Sequence, residues 1–355
     1  MKIKTLALGA LAIAALASCS GNKEAQTDYT LTVNVDDPAS NGTMAYIVNF
    51  DTDSIMDSVV VADSKAVFAG TIDEPTMVDL NVNGYRVGRF ILEGGETEFK
   101  NGRAMSDLND RLFAFNDDLT ARMDSFRNMV DTTFTEAEMT AFSEMVSLHM
   151  DSVMSKAIVD NVANPIGYML FIQKAASMEA EEFNDFLKQF PDMAKYRRVG
   201  NIAKRFEARE ATSAGKQYTD FEVEYNDSIY KLSDYVKPGQ YTLVDFWASW
   251  CGPCKREIGI IKQLYDKYHG KGLNVVGVAV WEDPEQTQAY LNDNPIAWDI
   301  ILNGQEGPTE IYGINGIPCI MLIDPDGKIV ARDLFEDELV NTVSTAMGDA
   351  PVEAV

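Results

Sequence analysis

Leu31, Val33 and Val35 alternate with polar residues, the period of a strand with one buried face. Short apolar runs follow at residues 46–50, 59–61 and 67–72. Runs at 77–82 and 85–92 flank Asn83-Gly84, a pair that accepts the positive φ angles of a type I′ hairpin. Gly94-Gly95 breaks the chain before one more short strand. Residues 29–100 therefore predict a small antiparallel β domain, a sheet or sandwich, and they carry no clustered His or Cys and no glycine-rich loop. From 105 to 211 the period becomes helical. Leu108, Leu112, Leu119, Met123 and Phe126 recur at helical spacing. Thr135 and Glu138 form a capping box that opens a second helix through Phe142, Met145 and Val153. Asn164-Pro165 reads as the N-cap and first-turn proline of a third helix, and Pro191 precedes a last helix over about 194–210. From 212 to 348 strands and helices alternate, and residues 349–355 form a tail. The pattern predicts strands at 243–247, 274–281, 320–323 and 329–333, and helices from Cys251 to about His269, at 284–294 and at 336–347. A turn at Asp324-Pro325-Asp326-Gly327 joins the last two strands.

The start of the chain has a different character. Lys2 and Lys4 precede an apolar run over residues 6–17, which is too short to span a bilayer and reads as the core of a signal peptide. The run ends in Leu16-Ala17-Ser18-Cys19, which resembles the lipobox of bacterial lipoproteins. That resemblance implies removal of residues 1–18 and lipid attachment at Cys19, with residues 19–28 as a polar tether. It places the protein in the bacterial cell envelope, anchored to the membrane by lipid and facing the periplasm. A plain secretory signal with a chance cysteine is the alternative. At 355 residues, with 46% apolar and 24% charged residues, the chain has material for two or three folded domains. Its net charge of −25 excludes nucleic acid as a natural partner, because phosphate binding needs clustered Lys and Arg.

With Cys19 assigned to the anchor, Cys251, Cys254 and Cys319 remain. Three thiols do not make a structural framework, and two of them with two residues between form a redox motif. Disulfide exchange needs an accessible thiolate beside a second thiol that resolves the mixed disulfide. Cys251 follows an apolar strand and opens a helix, where backbone N–H groups and the helix dipole favour the thiolate. Cys254 lies almost one turn later, within reach of a tight disulfide, and Pro253 is tolerated at a helix start. No second CxxC and no His pair completes a zinc site, so neither a metal nor a cofactor beyond the Cys251–Cys254 disulfide is expected.

Residues 244–255, Val-Asp-Phe-Trp-Ala-Ser-Trp-Cys-Gly-Pro-Cys-Lys, resemble thioredoxin, and Gly316-Ile317-Pro318 resembles its cis-proline loop. Gly215-Lys216, Asp220-Phe221, residues 232–235, the helix at 284–294 and residues 322–330 resemble the TlpA/ResA-like branch of membrane-anchored thiol–disulfide oxidoreductases. The resemblance covers about 212–348 and implies an α/β thioredoxin fold there. It implies that Cys251 attacks, Cys254 resolves, and Asp245, a carboxyl in an apolar strand, takes the proton of the second thiol. It further implies that Pro318 is cis and shields the disulfide. Trp250, Gly252, Pro253 and the Ile317 backbone would meet the substrate, with Trp247 framing the site or packing in the core. Partners of that class are protein disulfides or dithiols and a membrane electron-donor protein.

Three positions depart from the branch. Ile258-Gly259 stands where a proline is common, which leaves a helix kink open. Cys319 follows Pro318 where a small Thr-like residue is usual; it reads as a small buried hydrophobe, or as a third thiol near the pair. Glu257 resembles an acid common in the branch, either tuning the pair or exposed in the first helical turns. A peroxidase is excluded, because Val244 and Ala248 occupy the Pro and Thr positions of the PxxxTxxC frame. His149 and His269 each stand alone, without a partner set for a metal or a Cys hydrolase. The function read here is a thiol–disulfide oxidoreductase acting as a reductase on exported proteins. The alternative is a lipid-anchored scaffold in which residues 29–211 carry the role.

Overall fold

The computed structural model describes residues 27–130 and 133–349. The signal segment, Cys19 and most of the tether therefore lie outside the described residues. The chain divides into two units, one ending at Leu170 and the other beginning at Phe171.

The first unit is built on β1 (Asp28–Asn34), β2 (Met44–Asn49), β3 (Ile55–Val60), β4 (Lys65–Thr71), β5 (Thr76–Val82), β6 (Tyr85–Leu92), β7 (Gly95–Lys100) and β8 (Arg103–Met105). They form two four-stranded sheets, ordered β4-β1-β7-β8 and β3-β2-β5-β6. Every pairing is antiparallel except β1 with β7. Period-two alternation sends Leu31, Val33 and Phe68 from one sheet, and Ile47, Leu80 and Phe90 from the other, into one core. Asn83 and Gly84 turn the β5–β6 hairpin with φ of 52° and 80°, the left-handed pair a type I′ turn requires. Two helices follow, α1 (Asp107–Arg127) and α2 (Glu136–Asp160). Fully buried Asn109 ties α1 to β6, donating to the Ile91 carbonyl and accepting from the Ile91 N–H. Thr135 and Glu138 close both bonds of the capping box that starts α2. His149 lies against Phe126, a packing position. The boundary between the units falls inside α3 (Pro165–Ala175), whose first turn is opened by Asn164 accepting from the Ile166 N–H.

The second unit continues with α4 (Ala180–Gln189), which the sequence pattern does not set apart, and α5 (Arg197–Ala211), preceded by a 3₁₀ turn at Pro191–Lys195. A short hairpin follows, β9 (Glu222–Tyr225) and β10 (Ser228–Lys231). Then come β11 (Tyr241–Trp247), α6 (Gly252–Tyr268), β12 (Leu273–Ala279), α7 (Pro284–Asp293), β13 (Asp299–Ile301), α8 (Gly307–Ile311), β14 (Cys319–Ile323), β15 (Ile329–Arg332) and α9 (Glu336–Ala346). The central sheet runs β13-β12-β11-β14-β15, with β11, β12 and β13 parallel and β14 antiparallel to both of its neighbours, β11 and β15. β11 is apolar on both faces, as a strand covered on both sides must be. Leu243 and Trp247 face the layer of Ile261, Leu264, Leu339 and Val343 from α6 and α9. Val244 and Phe246 face the opposite layer with Phe221 and Tyr312. This is the α/β thioredoxin architecture expected of 212–348.

The end of α5 is bound into this unit. Arg332, 7% exposed at its side chain, donates to the Arg209 and Thr212 carbonyls, to Thr212 Oγ1 at 2.7 Å and to the Tyr312 carbonyl at 2.9 Å. Arg209 pairs with Asp333 at 2.7 Å. Gly313, at φ +61°, lies so close to α5 that a Cβ there would stand 2.3 Å from the Arg205 carbonyl oxygen. Arg332→Met should leave these acceptors unpaired and lower unfolding stability by about 3 kcal/mol. A urea titration reads the loss; an unchanged midpoint would refute it.

Candidate redox site

β11 delivers the chain to its carboxyl end, where residues 248–251 turn into α6. Cys251 closes that turn by donating its N–H to the Ala248 carbonyl at 3.1 Å. It caps α6, its Sγ accepting from the Cys254 N–H at 3.1 Å, so the sulfur lies against the helix tip. Cys251 and Cys254 are joined as a disulfide. Cys251 is 4% exposed and Cys254 not at all, so of the two residues only Cys251 reaches the surface. Gly252 and Pro253 are exposed beside it.

The Ile317–Pro318 peptide is cis, and the Ile317 carbonyl oxygen lies 3.7 Å from Cys251 Sγ. Both residues are half-buried. Trp250 is 58% exposed at the rim, and its indole N–H donates to the Trp281 carbonyl at 3.4 Å. Trp247 is fully buried against Tyr290, which makes it core and removes it from the surface of the site.

Two buried acids lie on the pair's side of the sheet. Asp245 points to the same side of the sheet as Leu243 and Trp247; it is 1% exposed and its Oδ1 has no hydrogen-bond partner among the described residues. Burial pushes its carboxyl up to about 8, and neighbouring Glu257 adds to the rise. Glu257 follows Cys254 by three residues on the buried face of α6, and accepts from the Glu336 N–H at 3.2 Å. Burial raises its pKa too, while that N–H and Arg256 pull it back. Its burial rules out the exposed reading.

Cys319 pairs with Phe246 across β11 and β14 and joins the opposite layer from Cys251 and Cys254. The sheet thus separates it from the redox pair, which removes the third-thiol reading. Its thiol donates to Asp333 Oδ1 at 3.3 Å, and burial, followed by the Asp333 charge, pushes its pKa up to about 12. α6 runs without interruption through Ile258 and Gly259. His269 stacks on Tyr265 at the far end of α6. Among the described residues no group of three or more His, Cys, Asp or Glu is placed to hold a metal ion.

Sequence reasoning missed Glu282. This residue is buried beside Ser249, just past the carboxyl end of β12. An acid directly after a strand that neighbours β11 was the available signal, since sites in open α/β sheets gather at those strand ends.

Residues 214–332 match the AhpC/TSA family model, and residues 29–108 match a domain of unknown function, DUF4369. The thiol–disulfide oxidoreductase ResA of Geobacillus thermodenitrificans is 27% identical over 125 residues, covering 35% of this chain and 71% of the relative. ResA of Bacillus subtilis is 27% identical over 126 residues, covering 35% and 69%. A structure from Chlorobium tepidum, provisionally assigned as the thiol:disulfide interchange protein DsbE, is 30% identical with a TM-score of 0.34, covering 38% of this chain and 98% of that one. The thioredoxin domain of a Bacteroides vulgatus thiol–disulfide oxidoreductase is 28% identical with a TM-score of 0.35, covering 38% and 99%. The C-terminal part of the chain is a thioredoxin-fold domain, and with it the chain is a thiol–disulfide oxidoreductase. That domain belongs to the AhpC/TSA thioredoxin family, among relatives named ResA.

Proposed function

We propose that this protein reduces disulfides of exported proteins at the bacterial cell envelope, through Cys251 and Cys254. The observation that carries the reading is one marginally exposed cysteine at a helix tip, bonded to a fully buried partner and faced by a cis-proline loop. In the reduced protein the Cys251 thiolate attacks a client disulfide. One client sulfur leaves as a thiolate, and a mixed disulfide forms. Asp245 takes the proton of the Cys254 thiol, whose sulfur then attacks Cys251 Sγ. The second client sulfur leaves, and the Cys251–Cys254 disulfide closes. The client has gained two electrons; a membrane electron-donor protein returns two to the pair. Trp250, Gly252, Pro253 and the Ile317 backbone form the surface a client meets, and Pro318 shields the disulfide.

Gly252-Pro253 between the cysteines supports the reducing direction, since reducing thioredoxins share that dipeptide. Lipidation of Cys19 after removal of residues 1–18 holds the domain at the membrane, facing the periplasm. Among the described residues no helix is long and apolar enough to cross a membrane.

The test is a redox titration against glutathione, with insulin reduction by the chain from residue 29 onward. A potential nearer thioredoxin's, about −270 mV, than that of DsbA, about −120 mV, is expected, with catalysed precipitation of insulin. An oxidising potential would reverse the assigned direction. Loss of the mature chain from membranes on Cys19→Ala tests the anchor.

A further inference from the structure

β11 and β12 pair in register up to Trp247 and Ala279, and one more bond follows, from the Val280 N–H to the Trp247 carbonyl at 3.0 Å. Beyond it the backbones no longer meet, and a side chain takes over. Glu282 accepts the Ser249 N–H on both carboxylate oxygens, at 2.9 and 3.0 Å, and the Ser249 hydroxyl at 2.5 Å. The hydroxyl of Thr287, fully buried on α7, holds the first of those oxygens at 2.6 Å. Gln305 donates to the Glu282 carbonyl at 2.8 Å. All four bonds to the carboxylate are received, which is what an acceptor-only group provides.

The backbone that aims Glu282 is strained. Trp281 sits at φ +57°, an uncommon conformation for a bulky residue, which persists only where its surroundings enforce it. Its indole N–H is anchored on Thr309 Oγ1 at 3.2 Å, and its carbonyl receives the Trp250 indole. Trp281 and Glu282 therefore grip both central residues of the turn whose last residue is Cys251.

We propose that Glu282 is a positioning residue for the attacking sulfur, acting through Ser249 to fix the turn that aims Cys251 from the tip of α6. The proposal rests on the reading of Cys251 as the attacking thiol. Thiol–disulfide exchange requires three sulfurs in line, and a small misplacement of a reacting atom costs up to about 10²-fold in rate. Without that carboxylate the half-buried Ser249 N–H would bond to water and let the turn wander. Glu282 replaces that water with a fixed partner.

The experiment uses the reduced full chain and follows its bimolecular reaction with insulin disulfide across pH. Glu282→Gln places an amide NH2 against the Ser249 N–H. The alkaline plateau, where the thiolate is complete in every variant, should fall about tenfold. Ser249→Ala, which keeps the backbone donor, should lose about threefold, and the double variant should match Glu282→Gln alone because the two act as a unit. An unchanged plateau in folded Glu282→Gln overturns the proposal. Should that variant fail to fold, Thr287→Val decides: it leaves Ser249 bonded to a carboxylate no longer held from behind. A plateau about threefold lower supports the assignment, and an unchanged one overturns it. Cys251→Ser serves as the separate control. Wild-type reactivity in that variant would defeat the underlying reading, whatever Glu282 does.

Discussion

Cys254→Ser should accumulate mixed disulfides with its clients, while Cys251→Ser should reduce insulin no faster than the uncatalysed reaction. The asymmetry follows from burial. Cys251 alone reaches solvent, so it alone meets an external disulfide; Cys254, with no exposed surface, meets only the sulfur of Cys251. Removing the first sulfur abolishes entry into the reaction. Removing the second leaves entry intact and blocks exit, because among the described residues the one remaining thiol, Cys319, is on the far side of the sheet. Non-reducing gels of cells carrying each variant read the outcome. Equal trapping by both would show that the sulfurs are interchangeable and would refute the order of attack. A Cys251→Ser, Cys254→Ser chain that keeps its cellular role would favour the scaffold reading of residues 29–211.

Asp245→Asn should stabilise the oxidised protein at neutral pH and slow its turnover. In the folded state burial raises this carboxyl from its ordinary 3.8 to about 8. The folded chain thus holds a proton that the unfolded chain releases above about pH 4. Stability is fully present below about pH 4, declines as pH rises, and levels off above about pH 8. The uncharged variant escapes that decline. The two proteins should match in urea midpoint near pH 3.5 and diverge by on the order of 4 kcal/mol at pH 7. Catalysis runs the other way. Without a proton acceptor at that position, release from the mixed disulfide should slow by about 10²-fold, and the rise in rate through pH 8 should vanish. A pH-independent stability difference would mean that the buried carboxyl carries no titration of its own.

The redox pair was legible because its signal is local: an apolar strand, a turn and a helix with a cysteine at each side of Gly-Pro. The β5–β6 turn and the Thr135–Glu138 cap were legible for the same reason, since Asn-Gly and Thr-x-x-Glu satisfy their own backbones. What escaped depends on partners far along the chain. β13 has three residues and α8 five, too few for a period to show; β13 is paired by the edge of β12, and α8 is tied through Thr309 to the Trp281 indole. α4 carries Phe183 and Phe186 at helical spacing, yet it merges in sequence with the helices on either side. Glu282 bonds to a backbone N–H 33 residues away, a pairing with no signature in residue type. Asp245 gave itself away by standing alone in an apolar strand, whereas Glu257, preceded by Lys255 and Arg256, read equally as an acid tuning the pair or as an exposed one, and its burial against the start of α9 decides between them.

The grip of Arg332 on the last turn of α5 bears on how the protein is cut for study. The family match begins at residue 214, but two of the carbonyls that occupy this guanidinium belong to Arg209 and Thr212, ahead of it. A fragment started at the match would strip a buried cation of acceptors and bare Gly313, which packs against the α5 backbone a few residues from the cis-proline loop. A truncated chain that retains the catalytic half should therefore keep α5 whole and begin before Arg197.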